Sequence, residues 1–169
     1  MRTVLLIIAQ ENFQDTELKG TRDSLLKAGF QIVLGSITAG ACRGKFGSTE
    51  IAEIALKDVI LEDYDRVAFI GGPGAEALRV DPSALKIAFD TAAAQKPLGA
   101  ICIAPLILAK AKVLSGRKAT VWDSGGEQAG ILTASGATYT GDDVTVDGMI
   151  VTANGPAAAE EFGRTLASL

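Results

Sequence analysis

The chain has 169 residues, 48% of them apolar, which is enough for one buried core. Its 16 Lys and Arg against 20 Asp and Glu leave a net charge of −4, and that balance argues against neutralising a nucleic-acid backbone. There is no histidine and there are two cysteines, Cys42 and Cys102, so Ser-His-Asp and Cys-His hydrolysis, His-ligated zinc and four-thiolate metal sites are all excluded.

Val4 to Ala9 is continuously apolar, as suits a strand covered on both faces of a parallel sheet. The run is too short to span a bilayer and lacks a secretory cleavage region, so neither a membrane segment nor a signal peptide is expected. Asp15 to Ala28 carries a helical pattern with Gly29 as its C-cap, and Gln31 to Ile37 resumes strand character. Thr38 to Gly47 reads as irregular, with room for a short strand or hairpin, and Cys42 within it as incidental or moderately exposed. Ser48 or Thr49 caps a short helix at Ile51 to Leu56, where a strand also fits. Val67 to Ile70 is a strong strand, stopped by Gly71-Gly72-Pro73-Gly74.

Pro82 to Ala94 is predicted to be a helix, with Asp81 as N-cap and proline at the first helical position. Pro97 to Ile101 is a strand, Ala104 to Val113 a buried helix, Lys118 to Trp122 a strand and Gly125 to Ser135 a helix. Val144 to Val146 and Met149 to Thr152 flank Asp147-Gly148, a hairpin signal, and Ala157 to Leu169 closes the chain as a helix. Strands and helices alternate without a composition break. The reading is α/β: one domain over residues 1–169, a three-layer α/β/α sandwich with a mostly parallel, flavodoxin-like sheet. Ligands sit at the carboxyl ends of such strands, which selects Gln10 to Glu17, Gly71 to Gly74, Cys102 to Pro105 and Trp122 to Gly126.

Cys102 stands where a strand gives way to a helix, in Ala100-Ile101-Cys102-Ile103-Ala104-Pro105. Unpaired N–H groups and the dipole of a first helical turn favour a thiolate there. The turn is like a nucleophile elbow, although Gly-x-Ser-x-Gly is absent. The alternative is a buried cysteine in an apolar segment. Glycines let backbone N–H groups approach an oxyanion, so Gly72 and Ile103 are candidate donors and Gly71 a pocket residue; a plain tight turn is the alternative. Trp122, the one tryptophan, suits a pocket wall, core packing or dimer packing. Dinucleotide and phosphate-binding glycine loops are absent, and no cofactor or metal is expected.

Together these segments resemble the ThiJ/PfpI superfamily, with its glutamine amidotransferase-like α/β fold. Its members include the human parkinsonism-associated protein, bacterial chaperone-like proteins and archaeal intracellular proteases. The likeness rests on Asn12 to Leu18, Gly71-Gly72, Ala100-Ile101-Cys102 and Asp147 to Pro156, in that order along nearly the whole chain. Many members carry, at the position of Gln14, an acid that hydrogen-bonds the reactive cysteine, and a histidine directly after it, where Ile103 stands. Others place a histidine near Trp122. The Cys102-Ile103-Ala104-Pro105 string locally resembles the ElbB-like branch, linked to glyoxalase-type activity.

The resemblance implies a homodimer acting through Cys102 on small reactive carbonyls, in glyoxalase or deglycase fashion, while two cysteines point to a reducing, cytoplasmic setting and the charge balance and short apolar run to no nucleic-acid or membrane partner. Without histidine, proton transfer falls to a carboxylate. Glu17, one turn past Gln14, either approaches Cys102 or lines a solvated helical face. Asp123 either approaches it or caps a helix. The competing reading is a non-catalytic redox sensor or protein-interaction module. Intracellular proteolysis is disfavoured by the missing imidazole.

Overall fold

β1 (Thr3–Ile7) opens the computed structural model, which describes residues 1–169. Val4 through Ile7 have no exposed surface, as befits a strand with both faces covered. Then come β2 (Glu11–Phe13), α1 (Asp15–Lys27), β3 (Gln31–Ser36), β4 (Gly40–Gly44), β5 (Thr49–Ala52) and β6 (Ile54–Ala55). Two 3₁₀ turns, Leu56–Asp58 and Leu61–Asp63, lead to β7 (Arg66–Phe69), α2 (Ala75–Arg79), α3 (Pro82–Ala93), β8 (Leu98–Ile101) and α4 (Pro105–Lys110). The chain ends through β9 (Lys118–Ala119), α5 (Glu127–Ala134), β10 (Thr138–Tyr139), β11 (Val144–Asp147), β12 (Ile150–Ala153), a 3₁₀ turn at Pro156–Ala158 and α6 (Ala159–Ser168).

The main sheet has the order β11-β12-β8-β7-β1-β3-β6, and every neighbouring pair is parallel except β11 with β12. Taken alone, β3-β1-β7-β8-β12 is the 2-1-3-4-5 order of the flavodoxin-like sheet. Two apolar clusters cover its faces. One joins Leu18 and Leu25 of α1 to Phe162 and Leu166 of α6. The other joins Leu78 of α2, Ile87 of α3, Leu106 of α4 and Leu132 of α5. The α1–α6 contact is close because its residues are small. A Cβ on Gly20 would lie 2.8 Å from that of Ala159, and one on Gly163 would lie 2.7 Å from that of Ser24. No helix is long and apolar enough to cross a membrane.

Several local readings are resolved or corrected. Thr38 to Gly47 carries the short strand for which it has room: β4, which pairs with β5 and β2 in a separate three-stranded sheet. Over Ile51 to Leu56 the strand alternative holds, as β5 and β6, and the helix does not. Pairing Gly40 with Ala52 and Arg43 with Thr49 leaves Ile51 exposed and Ala52 buried, the alternation of a half-covered strand. Cys42 is buried on β4, and Gln10 Nε2 donates to its sulfur at 3.5 Å. Burial pushes its pKa up. Only Lys118–Ala119 of the expected Lys118 to Trp122 strand pairs as one. Thr120 N–H turns instead to Thr152 Oγ1 at 2.9 Å. The helix expected to reach Val113 ends at Lys110, shortly before Lys112 takes a left-handed φ of 63°. The short α2 was not anticipated: no side chain caps it, and it follows directly on a glycine-rich turn.

Candidate active site

The chain crosses from β1 to β3 on one side and from β6 back to β7 on the other side of β1, so a crevice opens at the carboxyl ends of β1 and β7. Loops after β1, β7 and β8 converge there. The β8 loop begins with Cys102 at φ 65°, a left-handed conformation that a non-glycine residue adopts at a cost of about 1–2 kcal/mol. Backbone bonds on both sides hold it: Cys102 N–H donates to Ala153 O, and Trp122 N–H donates to Cys102 O, each at 2.9 Å. The turn breaks the strand and sets the residue just ahead of α4, whose first residue is Pro105.

Cys102 is 8% exposed. Burial, and then the charge of Glu17, push its pKa up to about 12. The nearby Gly72 and Ile103 N–H groups pull the other way. Glu17 is the one charged group that acts on Cys102. The ground state at neutral pH is therefore a protonated thiol beneath two backbone donors.

Glu17 lies in the first turn of α1 and has no exposed surface, so the solvated-face reading fails. Burial raises its pKa from 4.5 to about 8, and the nearby Cys102 thiol moderates the rise. Neither carboxyl oxygen has a partner of full hydrogen-bond geometry. The carboxyl is thus neutral at pH 7 and close to releasing its proton.

Gly71 separates the two groups. A Cβ there would lie 2.5 Å from Cys102 Cβ and 2.8 Å from Glu17 Oε1, so only glycine leaves both side chains in place. Gly72 needs its φ of 101°, and a Cβ on it would lie 2.6 Å from both Asn12 O and Gln14 N.

Gln14 is the N-cap of α1. Its Oε1 accepts the Glu17 N–H at 3.0 Å, and its own N–H donates to Gly71 O at 2.9 Å. It therefore ties the start of α1 to the Gly71 turn, and none of its hydrogen bonds goes to Cys102. The carboxyl beside the thiol comes from Glu17. Asp123 is occupied elsewhere: Oδ2 accepts Gly126 N–H at 3.0 Å and Oδ1 accepts Ala129 N–H at 2.9 Å, capping α5. Trp122 is 43% exposed, with its backbone beside Cys102 and its ring beside Gly155.

Two residues of this region were not singled out in the sequence. Thr21, one turn past Glu17, has no exposed surface and no partner for Oγ1. Asn12 holds a left-handed φ of 60°, and its carbonyl accepts Gly74 N–H at 3.1 Å. The spacing of Glu17, Thr21 and Ser24 was the available signal, since it puts all three on one face of α1.

Residues 2–169 match the model of the DJ-1/PfpI family. A deglycase of Pyrococcus horikoshii is 32% identical over 154 residues, covering 91% of this chain and 90% of that protein. A glutathione-independent glyoxalase of Caenorhabditis elegans is 26% identical over 164 residues, covering 95% of this chain and 84% of its own. Among solved structures, a ThiJ/PfpI domain protein from Brachyspira murdochii superposes with a TM-score of 0.93 at 28% identity, over 98% of this chain and 94% of that one.

Proposed function

We propose that this chain, which belongs to the DJ-1/PfpI family, is a cysteine-dependent enzyme acting on small reactive carbonyls such as methylglyoxal. The observation that carries the reading is the buried Cys102–Glu17 pair facing across Gly71 under the Gly72 and Ile103 N–H groups. The deglycase and glyoxalase names of relatives support the substrate class.

Catalysis begins when the pair loses one proton. The Glu17 carboxylate then takes the thiol proton as sulfur bonds to the aldehyde carbon. The carbonyl π electrons move to oxygen, where Gly72 and Ile103 N–H groups stabilise the charge. Protonation of that oxygen by Glu17 gives a hemithioacetal. Glu17 next removes the proton from the former aldehyde carbon, giving an enediolate, and returns it to the neighbouring carbon, while the hydroxyl proton on the first carbon passes to the oxygen of the second, forming a 2-hydroxy thioester. Water cleaves the C–S bond, releasing lactate and restoring the thiol. One residue serves as base and acid in turn because its pKa of about 8 lies near the working pH.

The test is lactate formation from methylglyoxal by the purified protein. Turnover is expected in the wild type and lost in Cys102→Ala and Glu17→Ala. Folded wild type that forms no lactate between pH 5 and pH 10 refutes the proposal.

A second reading rests on the donors around the sulfur. A neutral Glu17 carboxyl and two N–H groups would hold a sulfinate at Cys102 as readily as an oxyanion. Intact mass after mild peroxide separates the readings: a gain of two oxygens at Cys102 without carbonyl turnover favours the redox role.

A further inference from the structure

The opposite end of the sheet carries a cavity of about 320 Å³. It lies at the starts of β8 and β12, where Leu98 and Ile150 are register partners, whereas Cys102 follows the far end of β8. Ala92, Met149 and Ile150 form its apolar wall, and Lys96, Arg117 and Gln95 its polar one.

The two cations are held in place and keep free donors. Lys96 Nζ donates to Leu61 O at 2.9 Å and Tyr64 O at 2.7 Å, leaving one of its three N–H bonds unused. Arg117 Nη1 reaches Asp147 O at 3.4 Å and lies 3.6 Å from Asp147 Oδ1, and its other guanidinium nitrogens meet no acceptor in the chain. Asp147 Oδ2 is taken by the Lys118 N–H at 2.8 Å. Lys96 and Arg117 are the charged residues of the lining, and no carboxylate is among them.

The hairpin adds backbone donors. Gly148 and Met149 both line the cavity, and neither N–H finds an acceptor in the chain. Gly148 has a φ of 60°, and a Cβ on it would lie 3.1 Å from Arg117 Nη1. Glycine at this turn therefore admits the guanidinium against the hairpin. A planar fork of N–H donors, an ammonium and adjacent amide N–H groups together make an oxyanion site.

We propose that this cavity binds a small organic oxyanion, a carboxylate or a phosphate monoester, with its charge between Lys96 and Arg117 and a short apolar body against Met149 and Ile150. The apolar wall selects for the carbon body, and the volume admits a small molecule. The site is independent of the Cys102 chemistry.

Titration of the full chain, followed by ¹H–¹⁵N correlation spectra, tests this. Butyrate, inorganic phosphate and sodium chloride are added separately at matched ionic strength. The Gly148 and Met149 amides are expected to shift saturably with butyrate or phosphate and not with chloride. A response to butyrate alone identifies a carboxylate ligand, and one to phosphate alone a phosphate ester. Arg117→Gln should weaken binding at least about tenfold, with Arg117→Lys intermediate. If Arg117→Gln does not fold, competition between butyrate and phosphate for the same amides of the wild type decides. Shifts that fail to saturate, that chloride reproduces, or that persist unchanged in Arg117→Gln overturn the proposal.

Discussion

Replacing Glu17 by Gln should make the protein more stable at neutral pH, and by an amount that depends on pH in a defined way. The Glu17 carboxyl has a pKa of about 8 in the fold against 4.5 as an ordinary carboxyl. Below pH 4.5 both folded and unfolded chains hold the proton, and the residue carries no penalty. Between 4.5 and about 8 the unfolded chain releases it while the folded chain keeps it, so stability falls as pH rises. Each pH unit in that window costs about 1.4 kcal/mol, and the accumulated cost at pH 7 is about 3 kcal/mol. The side chain has no exposed surface, so solvent does not screen this away. Glutamine stays neutral throughout and escapes the loss. Its amide leaves N–H groups of its own unpaired, but that offset does not vary with pH. Urea unfolding of both proteins at pH 4.5, 5.5, 6.5 and 7.5 is the assay. The gap between them should widen in favour of Glu17→Gln by about 1.4 kcal/mol per unit and level off above pH 8. A gap that is constant across the series would refute the reasoning.

Gly71→Ala should reduce carbonyl turnover at least about 100-fold and destabilise the fold by about 1–3 kcal/mol, because its methyl group meets Cys102 Cβ at 2.5 Å and Ile101 O at 2.7 Å; kinetics and urea midpoints read both. Gln14→Ala removes the α1 cap and should cost about 1 kcal/mol in urea unfolding, with Cys102 still present as a reactive thiol. Asp123→Asn should lower stability by no more than about 1 kcal/mol and leave kcat within twofold, since both carboxylate oxygens cap α5; loss of turnover would make Asp123 a proton carrier after all.

The strands of the central sheet were legible because burial on both faces writes them as apolar runs: Val4 to Ala9, Val67 to Ile70 and Pro97 to Ile101 each land within a residue or two of β1, β7 and β8. The turn at Cys102 was legible for the same reason, since a buried run followed by proline marks where a strand ends and a helix starts. The β4–β5 hairpin was ambiguous because it is covered on one side and glycine-rich, which weakens any period. Glu17 could not be settled because the buried face of α1 mixes Glu17, Thr21 and Ser24 with Leu18 and Leu25. A stripe read from apolar residues alone assigns such a glutamate to solvent. Its burial follows from the approach of α6 and of the Gly71 turn, contacts from distant parts of the chain that no local pattern records.

The central claim is that Cys102 and Glu17 share their protons as one unit, and alkylation of Cys102 measures this most directly. Iodoacetamide labelling of the folded Cys42→Ala variant, followed by intact mass from pH 5 to pH 11, gives the rate profile. Once Glu17 has lost its proton its carboxylate can take the thiol proton as sulfur attacks, so the rate should show an inflection at an apparent pKa of about 8, below the further rise that the thiol's own ionisation brings. In a Glu17→Gln background that inflection should disappear. A rate that climbs steadily towards pH 12 with no inflection near 8, and does so identically with glutamine at position 17, would contradict the account.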